Sequence, residues 1–127
     1  MYRSEYHTLM KQKGVDFILG PVYPGAAAVL GESEYWNYTS IWNILDHPAV
    51  SFPSGLLVDQ NLDQVDRGYK PRNEVDEREW KKYSPERYTD APIGLQLAGK
   101  RFKDEETLAA ASLISEIILP KQDKARI

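Results

Sequence analysis

The stretch APIGLQLAGKRFKDEETL, Ala91 to Leu108, decides how the rest of the chain is read. Ile93, Leu95 and Leu97 alternate with Gly94, Gln96 and Ala98, the two-residue period of a β-strand with two distinct faces. The Gly94–Gln96–Ala98 face is nearly flat, so a helix or another backbone can approach it closely. Asp104 is placed to cap a following helix, with Glu105 and Glu106 in its positive first turn. Leu108, Ala111, Ile114 and Ile118 recur at helical spacing, Leu113 and Ile117 lie beside them, and Pro120 ends the run. A strand and a helix this apolar need other elements to cover them.

Upstream, Tyr2, Tyr6, Leu9, Met10 and Lys13 form the stripe of a first helix, and Gly14 suits its left-handed end. Val15 to Leu19 (VDFIL) is a short β-prone run, read as a strand buried on both faces. In GPVYPG, Gly20 to Gly25, two prolines force extended backbone on Gly20 and Tyr23, so the chain leaves that strand as a stiff loop. A second helix is expected to begin near Asn37 or Thr39, both good caps, with Tyr38, Ile41, Trp42 and Leu45 as its stripe and Pro48 as its stop. Ala49 to Phe52 reads as a short strand that Pro53–Gly55 breaks or bends before Leu56 to Val58 resume the apolar run.

Residues 59–90 are charged and tyrosine-dotted, read as a surface excursion with one helical turn around Glu74 to Lys82 and an otherwise solvated face. The tail KQDKARI, residues 121–127, is expected to be disordered together with Pro120. Helix, strand, helix, strand, excursion, strand, helix is the alternation of an α/β layered fold with at least some parallel strands. Three strands are too few to cover one another, so residues 1–119 read as a portion of a larger α/β domain.

Composition narrows the function. The 127 residues bound one domain at most, and 42% apolar with 28% charged residues is a globular composition. A formal charge of −3 offers no basic field for nucleic acid. The absence of cysteine excludes a disulfide framework, a thiolate metal site and a cysteine nucleophile. No apolar run approaches the ~20 residues of a membrane span, and MYRSEYHTLMKQKG lacks the apolar core of a secretory leader, so a cytoplasmic protein is expected.

Local catalytic motifs are weak. Asp46–His47 with Ser51 or Ser54 contains the residue types of a hydrolase triad, but adjacent Asp and His cannot easily orient one another, and Ser54 sits in Pro-Ser-Gly rather than a G-x-S-x-G elbow. His47 reads instead as a helix-end residue with a simple hydrogen bond. His7 and His47, forty residues apart, match no metal-ligand spacing, and no Gly-rich phosphate loop is present. The loops Gly20–Gly25 and Pro53–Gly55 each follow a strand, and if those strands run the same way both loops border one cleft.

The segments DFILGPVYP, YTSIWNILDHPAVSFPSG and APIGLQLAGKRFKDEETLAAASLISE, in that order, resemble the C-terminal part of amidase signature enzymes, and the fungal acetamidase and general amidase group in particular. The resemblance extends from about Tyr2 to Leu119. It implies a mixed β-sheet covered by helices, incomplete in this chain. It implies hydrolysis of carboxylic amide C–N bonds by a Ser–cis-Ser–Lys acyl-enzyme mechanism, with no metal or organic cofactor. The Gly/Ser-rich region that carries that triad in the family has no counterpart here, so no catalytic residue is assigned.

Tyr23, Trp36, Thr39 and Asn43 flank the two stiff loops and are expected to form part of a substrate-pocket wall, the first two as apolar area and the last two as hydrogen-bonding groups. The partners implied are the N-terminal part of an amidase domain and a small amide substrate; a homo-oligomer is compatible with the chain. The competing reading is a non-catalytic remnant or interaction module on an amidase-like scaffold.

Overall fold

The structure, a computed structural model, describes residues 2–119, so the expected disordered tail and the Pro120 stop lie outside the described residues. The elements are α1 (Tyr2–Lys13), β1 (Ile18–Pro21), α2 (Asn37–Leu45), β2 (Ala49–Leu57), α3 (Glu74–Lys82), β3 (Pro92–Ala98) and α4 (Asp104–Ile118). Gly14 ends α1 at φ +66°, the left-handed conformation expected of it.

The three strands form one sheet in the order β1-β3-β2. Both pairings are antiparallel, with Ile18 opposite Ala98 on one side of β3 and Ala49 opposite Ala98 on the other. No parallel pair forms among the described residues; the strands that run the same way are β1 and β2, with β3 between them. The cause is the crossover through α2: it brings β2 back in the direction of β1 but two strand positions away, and β3 returns the opposite way to fill the gap.

The edge strands also differ from expectation. β1 starts at Ile18 rather than Val15, and Leu19 is half exposed, so it is not buried on both faces. Asp16, just before it, pairs with Lys100 Nζ at 2.7 Å instead of joining a ladder. β2 runs through Pro53–Gly55 without stopping. Proline is tolerated there because β2 has no outer neighbour among the described residues, and the register shifts between Pro53 and Leu57 around Gly55, at φ +83°.

β3 is covered on both faces. Leu95 and Leu97 pack with Phe52, Val50, Ala110, Ala111 and Ile114, which places α4 on that side. Ala98 packs on the other side with Trp42, Leu45, Ile41, Tyr6 and Ile18, which places α1 and α2 there. Burying a leucine as Leu97 is buried, 1% exposed, is worth ~1.5–3 kcal/mol. Gln96, also buried, donates through Nε2 to the carbonyls of Pro21 and Tyr38, both at 2.7 Å, and so ties the end of β1 to α2 across the sheet.

The caps fall earlier than read, one residue before Asp104 and one or three before Asn37 or Thr39. Trp36 precedes α2 and Lys103 precedes α4, neither with a side-chain cap. Thr39 donates through Oγ1 to the Trp36 carbonyl at 3.1 Å, so its hydroxyl is turned back on the helix start. The α1 stripe is only half covered: Met10 is buried while Tyr2 and Leu9 are exposed.

Residues 59–90 carry more order than a solvated excursion. α3 spans nine residues and is capped by Asn73, whose Oδ1 accepts from the Asp76 N–H at 3.0 Å. A second small core of Ala26, Val58 and Tyr88, with Val29, Tyr83, Ala91 and Ile93, anchors the excursion to the sheet end.

Candidate functional site

The loop that leaves β1 and the excursion that carries α3 face each other. Tyr23 donates through its hydroxyl to Glu79 Oε2 at 2.5 Å. Glu79 Oε1 meets Lys82 Nζ at 2.8 Å, and that ammonium also reaches Glu34 Oε2 at 2.9 Å and the Glu32 carbonyl at 3.1 Å. Arg87 pairs with Glu32 as well. Burial, and then the hydrogen bond to Glu79, pushes the Tyr23 hydroxyl up to about 12. Hydrogen bonds to Glu79 and then Glu34 hold the Lys82 ammonium well above the ordinary lysine range, and Lys82 in turn holds the Glu34 carboxyl below its ordinary value.

The Tyr23–Glu79 end of this latch borders a cavity of about 370 Å³. Five aromatic side chains wall it: Tyr23, Tyr69, Trp80, Tyr83 and Tyr88. Tyr69 stacks on Trp80 with centroids 6.3 Å apart and planes at 28°, and Tyr83 lies 5.4 Å from Tyr88. Asp66, Asp76 and Glu79 add three carboxylates. Asp76 accepts from the Tyr69 hydroxyl and from the Arg72 N–H, and the Arg72 N–H, then Tyr69, hold its carboxyl below the ordinary value. A neighbouring depression of about 640 Å³ shares Pro24, Tyr69, Asp76 and Glu79 with it.

A separate hollow of about 360 Å³ lies between the β1 loop and the bend in β2, where Val22 and Tyr23 face Phe52 and Pro53 across Gly94. The two stiff loops thus border one cleft, because β1 and β2 run the same way on either side of β3.

Of the residues singled out from the sequence, Tyr23 lines both the aromatic cavity and this hollow. Trp36, Thr39 and Asn43 line neither. Trp36 is 65% exposed with Nε1 on the Ser33 carbonyl, Thr39 is half-buried against its own helix start, and Asn43 is on the exposed side of α2. The structure brings Tyr23 together instead with Tyr69, Trp80, Glu79 and Asp66, which sequence reasoning did not single out. The available signal was the spacing of Asp76, Trp80 and Tyr83, which share one helical face.

No triad forms around His47. Its Nδ1 sits 2.7 Å from the Gly99 carbonyl, so that nitrogen carries the proton, and its ring packs on Tyr6 and Trp42. Ser54 donates through Oγ to the Ile93 carbonyl at 2.7 Å and accepts from the Leu56 N–H. Ile93 and Gly99 stand at opposite ends of β3, roughly 20 Å apart along an extended strand. Among the described residues no three of His, Asp or Glu converge to hold a metal ion, and no helix is long and apolar enough to cross a membrane.

The amidase family matches residues 1–108. The chain belongs to the amidase family. Over 117 residues it is 50% identical to a Schizosaccharomyces pombe protein named as an amidase, covering 92% of this chain and 22% of that protein. Over 106 residues it is 33% identical to an acetamidase of Emericella nidulans, covering 84% of this chain and 19% of that one. A solved structure of a fatty acid amide hydrolase superposes with a TM-score of 0.84 at 42% identity, over 91% of this chain and 21% of that chain. The architecture is accordingly that of the amidase signature fold, and this amidase chain spans about a fifth of the length of these relatives.

Proposed function

We propose that this amidase chain forms the closing sheet and part of the pocket wall of an enzyme that hydrolyses the C–N bond of small carboxylic amides. The observation that carries this is the 50% identity to an amidase-named protein across 92% of the chain. In this reading a serine, deprotonated through a second serine in cis by a lysine, attacks the amide carbonyl. Backbone N–H groups hold the oxyanion, the C–N bond breaks as the amine leaves with the proton taken from the serine, and water then releases the acyl group as the carboxylic acid. All three of those residues lie in the four-fifths of such an enzyme that this chain does not span. What this chain contributes is β3 with its neighbours as scaffold, and Tyr23, Trp36, Thr39 and Asn43 as wall. The exposure of Trp36 and Asn43 supports that role, since it leaves both free to meet the rest of the domain. A cytoplasmic location is part of the same proposal and rests on the sequence reading.

The test compares a full-length enzyme carrying this segment with the 127-residue chain, using acetamide and an aryl amide and following ammonia or amine release. Turnover by the full-length enzyme and none by the chain is expected. Absence of turnover in the full-length protein would favour the non-catalytic scaffold. Turnover by the chain that vanished in Ser54→Ala would revive the local triad.

A further inference from the structure

The aromatic cavity has a charge pattern that the amidase reading does not account for. Its lining contains three carboxylates and no lysine, arginine or histidine. Of the three, Glu79 is in an ion pair, with Lys82 behind it, and the Arg72 charge reaches Asp76 more weakly. Asp66 and Asp76 each accept hydrogen bonds, but neither takes part in an ion pair among the described residues. Arg72, whose backbone N–H bonds Asp76, lines the neighbouring depression rather than this cavity.

Aromatic rings with uncompensated carboxylates at their edge are the two halves of one kind of receptor. The ring faces carry negative quadrupole and attract an organic cation, and a carboxylate takes its N–H donors. The Tyr69–Trp80 stack and the tilted Tyr83–Tyr88 pair give the cavity flat walls at two inclinations, which suits an aryl or alkyl body better than a compact inorganic ion. The hydroxyl of Tyr23 is committed to Glu79 and that of Tyr69 to Asp76, so Asp66 is the carboxylate with most room for a further N–H donor. At about 370 Å³ the cavity is within the ~300–1,000 Å³ range of small-molecule sites.

We propose that the cavity between the β1 loop and α3 binds a small arylalkylammonium ion, its ring against Trp80 and Tyr69 and its ammonium at Asp66 and Asp76. Binding does not depend on the amidase reading, since no step of hydrolysis is invoked. Asp66 is the residue to test, because it is exposed and its Oδ1 accepts only the local Gly68 N–H at 2.9 Å. Asp66→Asn keeps that acceptor and removes only the charge.

The experiment is isothermal titration calorimetry on the full-length protein at neutral pH with benzylammonium, benzyl alcohol and phenylacetate. Benzylammonium is expected to bind about ten-fold or more tighter than benzyl alcohol, and phenylacetate not to bind. Asp66→Asn should bring benzylammonium down to the benzyl alcohol level, and Trp80→Leu should weaken both while the fold, checked by circular dichroism, is kept. Equal binding of the alcohol and the ammonium overturns the proposal. So does benzylammonium binding that both variants leave intact, and so does the absence of any binding.

Discussion

A Cβ placed on Gly99 would fall 1.9 Å from Oγ1 of Thr107 and 3.0 Å from its Cβ. Thr107 cannot yield, because it is fully buried and both its N–H and its hydroxyl donate to the Lys103 carbonyl, at 2.9 and 2.5 Å. The first turn of α4 is thereby seated directly on the backbone that leaves β3. Gly99→Ala is expected to cost ~1–3 kcal/mol or somewhat more by overpacking, read as a lowered melting temperature of the full-length protein. Adding Thr107→Ala should recover part of the loss, and strictly additive losses would show that the two residues do not meet.

Gly94 is the milder case. Its added Cβ would sit 3.3 Å from Val22 Cγ2, the end of a side chain that can shift. Gly94→Ala should be close to neutral, and Gly94→Val should overpack by ~1–3 kcal/mol. An unchanged melting temperature for the valine variant would mean that the hollow between Val22 and Pro53 is open enough to take it.

Ser54 is a structural hydroxyl. Removing it leaves the Ile93 carbonyl without its donor and the Leu56 N–H without its acceptor. Ser54→Ala should lower stability by about 1 kcal/mol and leave amide turnover of the full-length enzyme unchanged. Lost turnover at unchanged stability would reverse that assignment.

Alkaline pH should loosen the α3 latch. The Tyr23 hydroxyl is raised from 10.0 to about 12, so the folded state holds its proton more tightly than the unfolded chain does. Its contribution is complete below pH 10 and is lost as pH rises towards 12. Lys82, also raised, acts with the same sign. Stability followed by chemical denaturation is expected to fall across this window, and more shallowly in Tyr23→Phe. Identical slopes in the two proteins would remove Tyr23 from the latch.

The chain by itself should self-associate or pack loosely. Leu108, Leu113 and Ile117 on the outer face of α4 are 60%, 59% and 74% exposed. Fully burying each is worth ~1.5–3 kcal/mol, and both edge strands lack an outer neighbour among the described residues. Sedimentation and ANS binding check this, and a monodisperse, ANS-silent monomer with a sharp melt would contradict it.

What was legible follows the range of the interactions. Helices α1, α2 and α4 and strand β3 were visible because periodicity and glycine or proline stops are local. The place of β3 between β1 and β2 was not, because sheet order depends on which edges meet after the excursion folds back. The same limit hid most of the site. Tyr23 could be singled out from its stiff loop, but its partner Glu79 lies 56 residues away and becomes a neighbour only when α3 docks. Trp36, Thr39 and Asn43 were chosen by nearness in sequence to the loops; they line neither cavity around Tyr23, and their place in a pocket wall is a proposal about the larger enzyme.

The central position of β3 also bears on synthesis. On a ribosome β1 and β2 emerge first, yet neither bonds to the other; the ladder partner they share ends only at Ala98. Throughout translation of residues 58–91 both strands wait for the mate they share among the described residues. The packing of α2 through Trp42 and Leu45 cannot hold them until Ala98 arrives, since that residue completes its cluster. Of the described strands, β1 and β2 are therefore most exposed to wrong partners just before β3 is made, and it is there that a chaperone would have most to shield.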